Sequence, residues 1–278
     1  MGYLLLAVIS SVLVSVLMRL STEKVNRDVA MLLVNYVVCT LLASASAGFG
    51  ALLPASPALG QTLGMGAIHG ALYLAGFVLL QMNVQKNGVV LSATFMKLGL
   101  LVPIAVSVLA FGEKPKLLQV IGFILAVAAI VLINWNKDSS AVRSGAGLVM
   151  LLLCGGGGDV MAKVFEEVGE KTLEKQFLVY TFAAALVLCL VLMLSKKQRP
   201  GAAELLFGAL IGIPNFFSAK FLLRALESVP AVIAYPTYSV ATLLVITLTG
   251  VLLFREKLRK QQWIALGIIL LALALLNL

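Results

Sequence analysis

The chain has 278 residues, 61% of them hydrophobic and 12% charged, with a formal net charge of +9. Soluble domains carry about 25% charged residues, so a water-soluble globule could not hide this much apolar surface. The positive charge lies mostly between the apolar stretches, which suits anionic lipid headgroups and argues against nucleic acid, since no soluble face is left to present it.

The apolar runs predict ten helical spans, roughly 3–20, 29–48, 61–81, 88–111, 117–134, 146–165, 174–194, 204–223, 230–254 and 261–278. In lipid only helices and closed barrels satisfy their own backbone, and continuous rather than alternating runs exclude a barrel. The fold class is therefore an all-α integral membrane protein. The first run, Tyr3 to Met18, lacks the basic start of a signal peptide, its first positive charge being Arg19, and is expected to persist as a span.

Span three holds the only histidine, His69, between Gly66 and Gly70. It reads as a packed, hydrogen-bonded side chain, with a proton relay as the functional alternative. Span four carries Lys97 about nine residues from one end, or about 13 Å deep at the helical rise. A charge at that depth costs about 2.5–3.5 kcal/mol on insertion scales, so it must face protein or water. Thr94 lies one turn away on the same face. The pair suits an anionic group of a substrate; a structural ion pair with Asp159 is the alternative.

Asp159 follows Gly155-Gly156-Gly157-Gly158 in span six. Four glycines weaken a helix and let another backbone or a ligand approach, so the readings here are local unwinding or tight helix packing at the glycines. Asp159 is a candidate coupling carboxylate or counter-charge; an i,i+4 pair with Lys163 is its bland reading. In span eight, Asn215 beside Pro214 is a candidate cavity-lining group, and Lys220 either binds substrate or snorkels to the interface. Tyr235-Pro236-Thr237-Tyr238 in span nine combines a kink with two phenols. The Gly66/Gly70 and Gly208/Gly212 pairs read as packing faces. Glu113 and Glu256 read as caps of spans five and ten. Cys39, Cys154 and Cys189 have neither metal-site spacing nor a disulfide framework, and no metal, cofactor or catalytic residue is expected.

The chain repeats itself. Glu113 and Glu256 are separated by 143 positions, as are Asn134 and Asn277, Thr94 and Thr237, and Phe95 and Tyr238. A polar joint around Asn136-Lys137-Asp138-Ser139-Ser140 separates two five-span copies, 1–137 and 144–278. An odd number of spans starts and finishes on opposite sides, so the second copy must insert upside down. The expected architecture is a 5+5 inverted-topology repeat around a central cavity, which suits alternating access.

Gly112-Glu113-Lys114-Pro115 with Gln119-Val120-Ile121-Gly122, and Arg255-Glu256-Lys257-Leu258 with Gln261-Gln262-Trp263, resemble the signature of EamA-type proteins of the drug/metabolite transporter superfamily. The resemblance implies a cavity lined by spans one, three, four, six, eight and nine, with five and ten peripheral. It also implies both termini in the cytoplasm, whereas the excess of Lys and Arg in the joints after odd-numbered spans favours termini outside.

The expected function is secondary transport of a small polar metabolite (amino acid, organic acid or phosphorylated metabolite) across the cell's inner or plasma membrane. The alternative is proton-coupled export of organic cations or drugs through Asp159. Candidate binding residues are Lys97, Thr94, Asp159, Asn215, Lys220, Tyr235 and Tyr238; Asp159 and His69 are candidates for coupling. The partners are a small-molecule substrate and the lipid bilayer, with coupling to a proton or an exchanged substrate left open. Motifs for hydrolytic or metallo-enzyme chemistry are missing from the sequence, so an enzyme is not expected.

Overall fold

The computed structural model describes residues 1–87, 89–134, 144–254 and 258–278. Among these the chain forms eleven α-helices and no strand. They are α1 (Gly2–Ser21), α2 (Asp28–Ala47), α3 (Leu59–Asn87), α4 (Val89–Leu98), α5 (Leu101–Leu109), α6 (Leu117–Asn134), α7 (Gly145–Val168), α8 (Glu174–Ser195), α9 (Ala202–Leu226), α10 (Ala231–Phe254) and α11 (Lys260–Leu276). The half-boundary at 136–140 and Glu256 lie outside the described residues.

Among the described residues eight segments are long and apolar enough to cross a membrane, so this is a multi-pass membrane protein. Spans five and ten correspond to α6 and α11, which are shorter apolar helices. At 17 residues, α11 is about 26 Å long, less than the roughly 30 Å hydrocarbon core. The ten expected segments all exist as helices, and α6 and α11 lie at the short end of the spanning range.

Two expectations need correction. Span four is not one helix: it breaks at Gly99-Leu100, near the middle of the Ser92–Leu109 span, into α4 and α5. Pro103 has no amide to offer the Gly99 carbonyl, which instead accepts the Val102 amide at 2.9 Å. In the second copy Thr242 and Ile246 stand 143 positions on from Gly99 and Pro103, and α10 runs unbroken through them. Span six, conversely, does not unwind at its glycines; α7 is continuous from Gly145 to Val168.

The helices group into two compact units. One holds Gly2–Leu74 and Val164–Ala225; the other holds Ala75–Lys163 and Leu226–Leu278 together with Met1. Each therefore draws helices from both halves of the sequence.

In the first unit α2 and α9 run parallel, since Gly208 meets Met31 and Val34, Gly212 meets Asn35 and Val38, and Lys220 reaches Ser46. A β-carbon at Gly212 would lie 2.7 Å from the Val38 Cβ. Gly66 and Gly70 seat against α8 in the same manner, Gly66 against Phe177 and Tyr180, Gly70 against Thr181 and Ala184. Both glycine pairs thus bring helix backbones together. The joints are pinned by side chains: the Asn26 amide donates to Glu204, the Gln176 amide group to the Ala51 carbonyl, and the Tyr180 hydroxyl to the Leu52 carbonyl.

In the second unit α6 packs antiparallel on α11. The Lys116 ammonium donates to the Leu278 carbonyl at 3.0 Å, and Gly122 sits against Ala272 and Leu276. Ala126, Ala129, Ile130, Ala265 and Ile269 are fully buried between them. Both helices start the same way. The Gln119 carbonyl oxygen accepts the Lys116 amide at 2.9 Å, and the Gln262 oxygen accepts the Arg259 amide at 2.9 Å. These glutamines are 143 positions apart, so the repeated motif carries the acceptor that closes each first turn.

Candidate functional site

The break in span four places Lys97 beside a helix end. Lys97 occupies the last turn of α4, where the unpaired carbonyls of a helix end favour a cation. The Met96 carbonyl is taken up by the Gly99 amide at 3.2 Å and the Lys97 carbonyl faces the Leu100 amide at 3.5 Å, a tightening typical of a helix end. Asp159 of α7 lies within electrostatic reach of Lys97. Both side chains are half-buried. Thr94 is buried one turn before Lys97.

The glycine run brings α7 to this place. A β-carbon at Gly156 would collide with the Gly99 carbonyl and lie 2.8 Å from the Val102 Cβ. From the other side, a β-carbon at Gly99 would lie 2.9 Å from the Gly156 nitrogen. The helix stays intact because a neighbouring backbone occupies the space that side chains would need. On α10, Tyr235 is 1% exposed and its hydroxyl donates to the Asp159 backbone carbonyl at 2.6 Å. It holds the main chain of the carboxylate residue. Tyr238 is half-buried on the same helix.

The second unit thus contains Lys97, Thr94, Asp159, Tyr235 and Tyr238, with Tyr235 joined directly to the Asp159 main chain. The other candidates lie in the first unit. His69 is 4% exposed, stacked on Phe177 at 5.3 Å, with its Nδ1 3.4 Å from the Thr181 hydroxyl. Asn215 donates to Asn35 Oδ1 at 3.1 Å and faces Cys39, which in turn donates to the Gly212 carbonyl. Lys220 donates to the Ser46 hydroxyl at 3.2 Å and lies over the Phe216 ring at 5.7 Å. Pro214 sits inside α9 without ending it.

Glu113 does not cap α6. Its two carboxylate oxygens accept the Ala231 and Val232 amides at 3.0 Å each, at the start of α10. The same carboxylate meets the Lys163 ammonium at 2.9 Å. Lys163, one turn after Asp159 on α7, is thus engaged by Glu113. The sequence reading missed a second polar cluster in this unit. Buried Asn83 donates to the Gly147 carbonyl, and Asn87 exchanges hydrogen bonds with Ser144, tying the end of α3 to the start of α7.

An all-helical chain with eight described segments long and apolar enough to cross a membrane is a multi-pass integral membrane protein. The chain belongs to the EamA-like transporter family, whose pattern matches residues 1–135 and again 144–278, and so to the drug/metabolite transporter superfamily. It is similar to an uncharacterized protein of Haemophilus influenzae, 25% identical over 206 residues that cover 72% of this chain and 69% of that one. A crystal structure of a protein superposes with a TM-score of 0.74 at 14% identity, over 98% of this chain and 94% of the other, which shows a shared fold.

Proposed function

We propose that this chain is a secondary transporter of a small polar metabolite in the inner or plasma membrane. Its two repeats, 1–137 and 144–278, are inverted and open a shared site alternately to each side. The antiparallel packing of α6 on α11, corresponding helices of the two repeats, supports the inversion.

The Lys97–Asp159 pair carries the substrate class. An ammonium and a carboxylate on neighbouring helices complement a zwitterion: an amino acid offers its carboxylate to Lys97 and its ammonium to Asp159. Organic acids and phosphorylated metabolites engage Lys97 alone. Thr94 and Tyr238 add hydroxyl groups, while Tyr235 fixes the backbone from which Asp159 projects. Asn215, Lys220 and His69 are engaged within the first unit by Asn35, Ser46 and Thr181, and the reading does not need them.

The test is thermal stabilisation of the purified protein by amino acids, organic acids, sugar phosphates and quaternary amines, repeated on Lys97→Ala and Asp159→Asn. A ligand at a hundred times its Kd stabilises by about 2.7 kcal/mol, a readily measured shift. Amino acids are expected to stabilise the parent and neither variant. An anion whose effect survives Lys97→Ala would defeat the site assignment. Stabilisation by quaternary amines, lost in Asp159→Asn alone, would identify an exporter of organic cations instead.

A further inference from the structure

We propose that Gly99 and Gly156 are positioning residues for transport: the direct crossing of their backbones sets the separation of Lys97 from Asp159. This rests on the reading of that pair as the substrate site, and it assigns the site's geometry to two residues that have no side chain.

Gly99 lies two residues after Lys97, and Gly156 lies three residues before Asp159, on the same face of α7. The charged pair therefore hangs from the point where the two backbones touch. The contact leaves no slack. A methyl group on Gly156 meets the Gly99 carbonyl and the Val102 side chain, and one on Gly99 meets the Gly156 nitrogen and, at 3.2 Å, the Leu152 carbonyl. Each obstacle is main chain or a β-branched side chain, and neither can swing away. Gly155, next in line, is different: a methyl there finds the Met96 carbonyl at 3.8 Å, an ordinary contact. Only one glycine of this adjacent pair is sterically required.

Generic helix packing would be expected in both copies of the repeat. It is not, since Thr242 occupies the second copy's counterpart of Gly99. The crossing belongs to the half that carries the lysine, and it coincides with the break in span four. A wedge at this point would lever α4 and α5 away from α7 and part the two charges.

The test uses the full chain with Cys39→Ala, Cys154→Ala and Cys189→Ala, carrying Lys97→Cys and Asp159→Cys. The readout is the rate at which a short bis-thiosulfonate reagent bridges the two new thiols, which needs no substrate. Gly155→Ala is expected to leave the rate unchanged, Gly156→Ala to slow it about tenfold, and the milder Gly99→Ala several-fold, because each wedge carries the two thiols out of reach of one short linker and lowers the effective concentration of the second reaction. Gly99→Ala decides the matter where Gly156→Ala does not fold. Unchanged bridging in the glycine variants, or a parent pair that does not bridge, overturns the proposal. In the chain with Lys97 and Asp159 intact, glycine, L-alanine, L-leucine and L-phenylalanine are titrated against thermal unfolding. The stabilising midpoint should rise in Gly156→Ala and not in Gly155→Ala. Slowed bridging with no response of the parent to these amino acids leaves the positioning role standing and sinks the substrate reading alone.

Discussion

Glu113 and Lys163 form an ion pair of 2.9 Å with side chains 14% and 3% exposed, and the same carboxylate closes the first turn of α10. One side chain in the joint between α5 and α6 thereby joins two helices that lie far from it in sequence. A buried charge pair is a weak source of net stability, because desolvation offsets the attraction, yet removing one partner strands the other.

Glu113→Gln is therefore expected to destabilise the protein by about 3 kcal/mol. Hydrogen exchange at the Ala231 and Val232 amides should quicken in the same variant. The double variant Glu113→Gln/Lys163→Met should recover part of the loss, because no ammonium is then left unpaired. Chemical unfolding in detergent measures both, and a double variant no better than the single one would contradict the argument.

The paired glutamines offer a test of the repeat. Gln119→Ala and Gln262→Ala each remove one side-chain acceptor from a helix start, and a lost cap costs about 0.5–2 kcal/mol. The two losses should be similar in size and additive, since each cap serves its own helix. A unilateral effect would mean that only one of the two turns depends on its glutamine.

Tyr235→Phe keeps the ring and deletes the hydroxyl that supports the Asp159 carbonyl. The expected cost is about 1 kcal/mol of stability. Stabilisation by amino acids should weaken as well, because the carboxylate residue loses its brace.

Outside the membrane, Glu170 accepts hydrogen bonds from Thr172 at 2.7 Å and Ser56 at 2.9 Å. These hold its carboxyl below the ordinary glutamate value of 4.5. A depressed folded-state value gives stability that is complete above the unfolded value and is lost as pH falls through the folded one. Replacing both partners, Ser56→Ala with Thr172→Ala, should make the loss of stability below pH 4.5 shallower. An unaltered acid limb would show that these contacts do not tune the group.

The positions of the helices were legible in the sequence because an apolar run long enough to cross lipid has few other structures open to it. The Gly-xxx-Gly faces were legible for a related reason, as close backbone approach admits little but glycine. The break at Gly99-Leu100 was written in the chain as Gly99 with Pro103, but glycine and proline are common in spans, and only Gly156 fitting against Gly99 makes the bend stable. Glu113 looked like a cap for the nearest helix start, and local sequence offers no sign of a start more than a hundred residues on. Lys97 and Asp159 stood out as charges in apolar runs. The helix end beneath Lys97 and the Tyr235 brace behind Asp159 were not legible, because both arise from tertiary contact.

The compact units do not follow the halves of the sequence: α3 leaves one for the other at Leu74-Ala75, and α7 at Lys163-Val164. A fragment ending near residue 135 would carry pieces of both bodies and complete neither. Two such fragments made separately should be recovered only as degraded material, whereas made together in one cell they should assemble and protect each other.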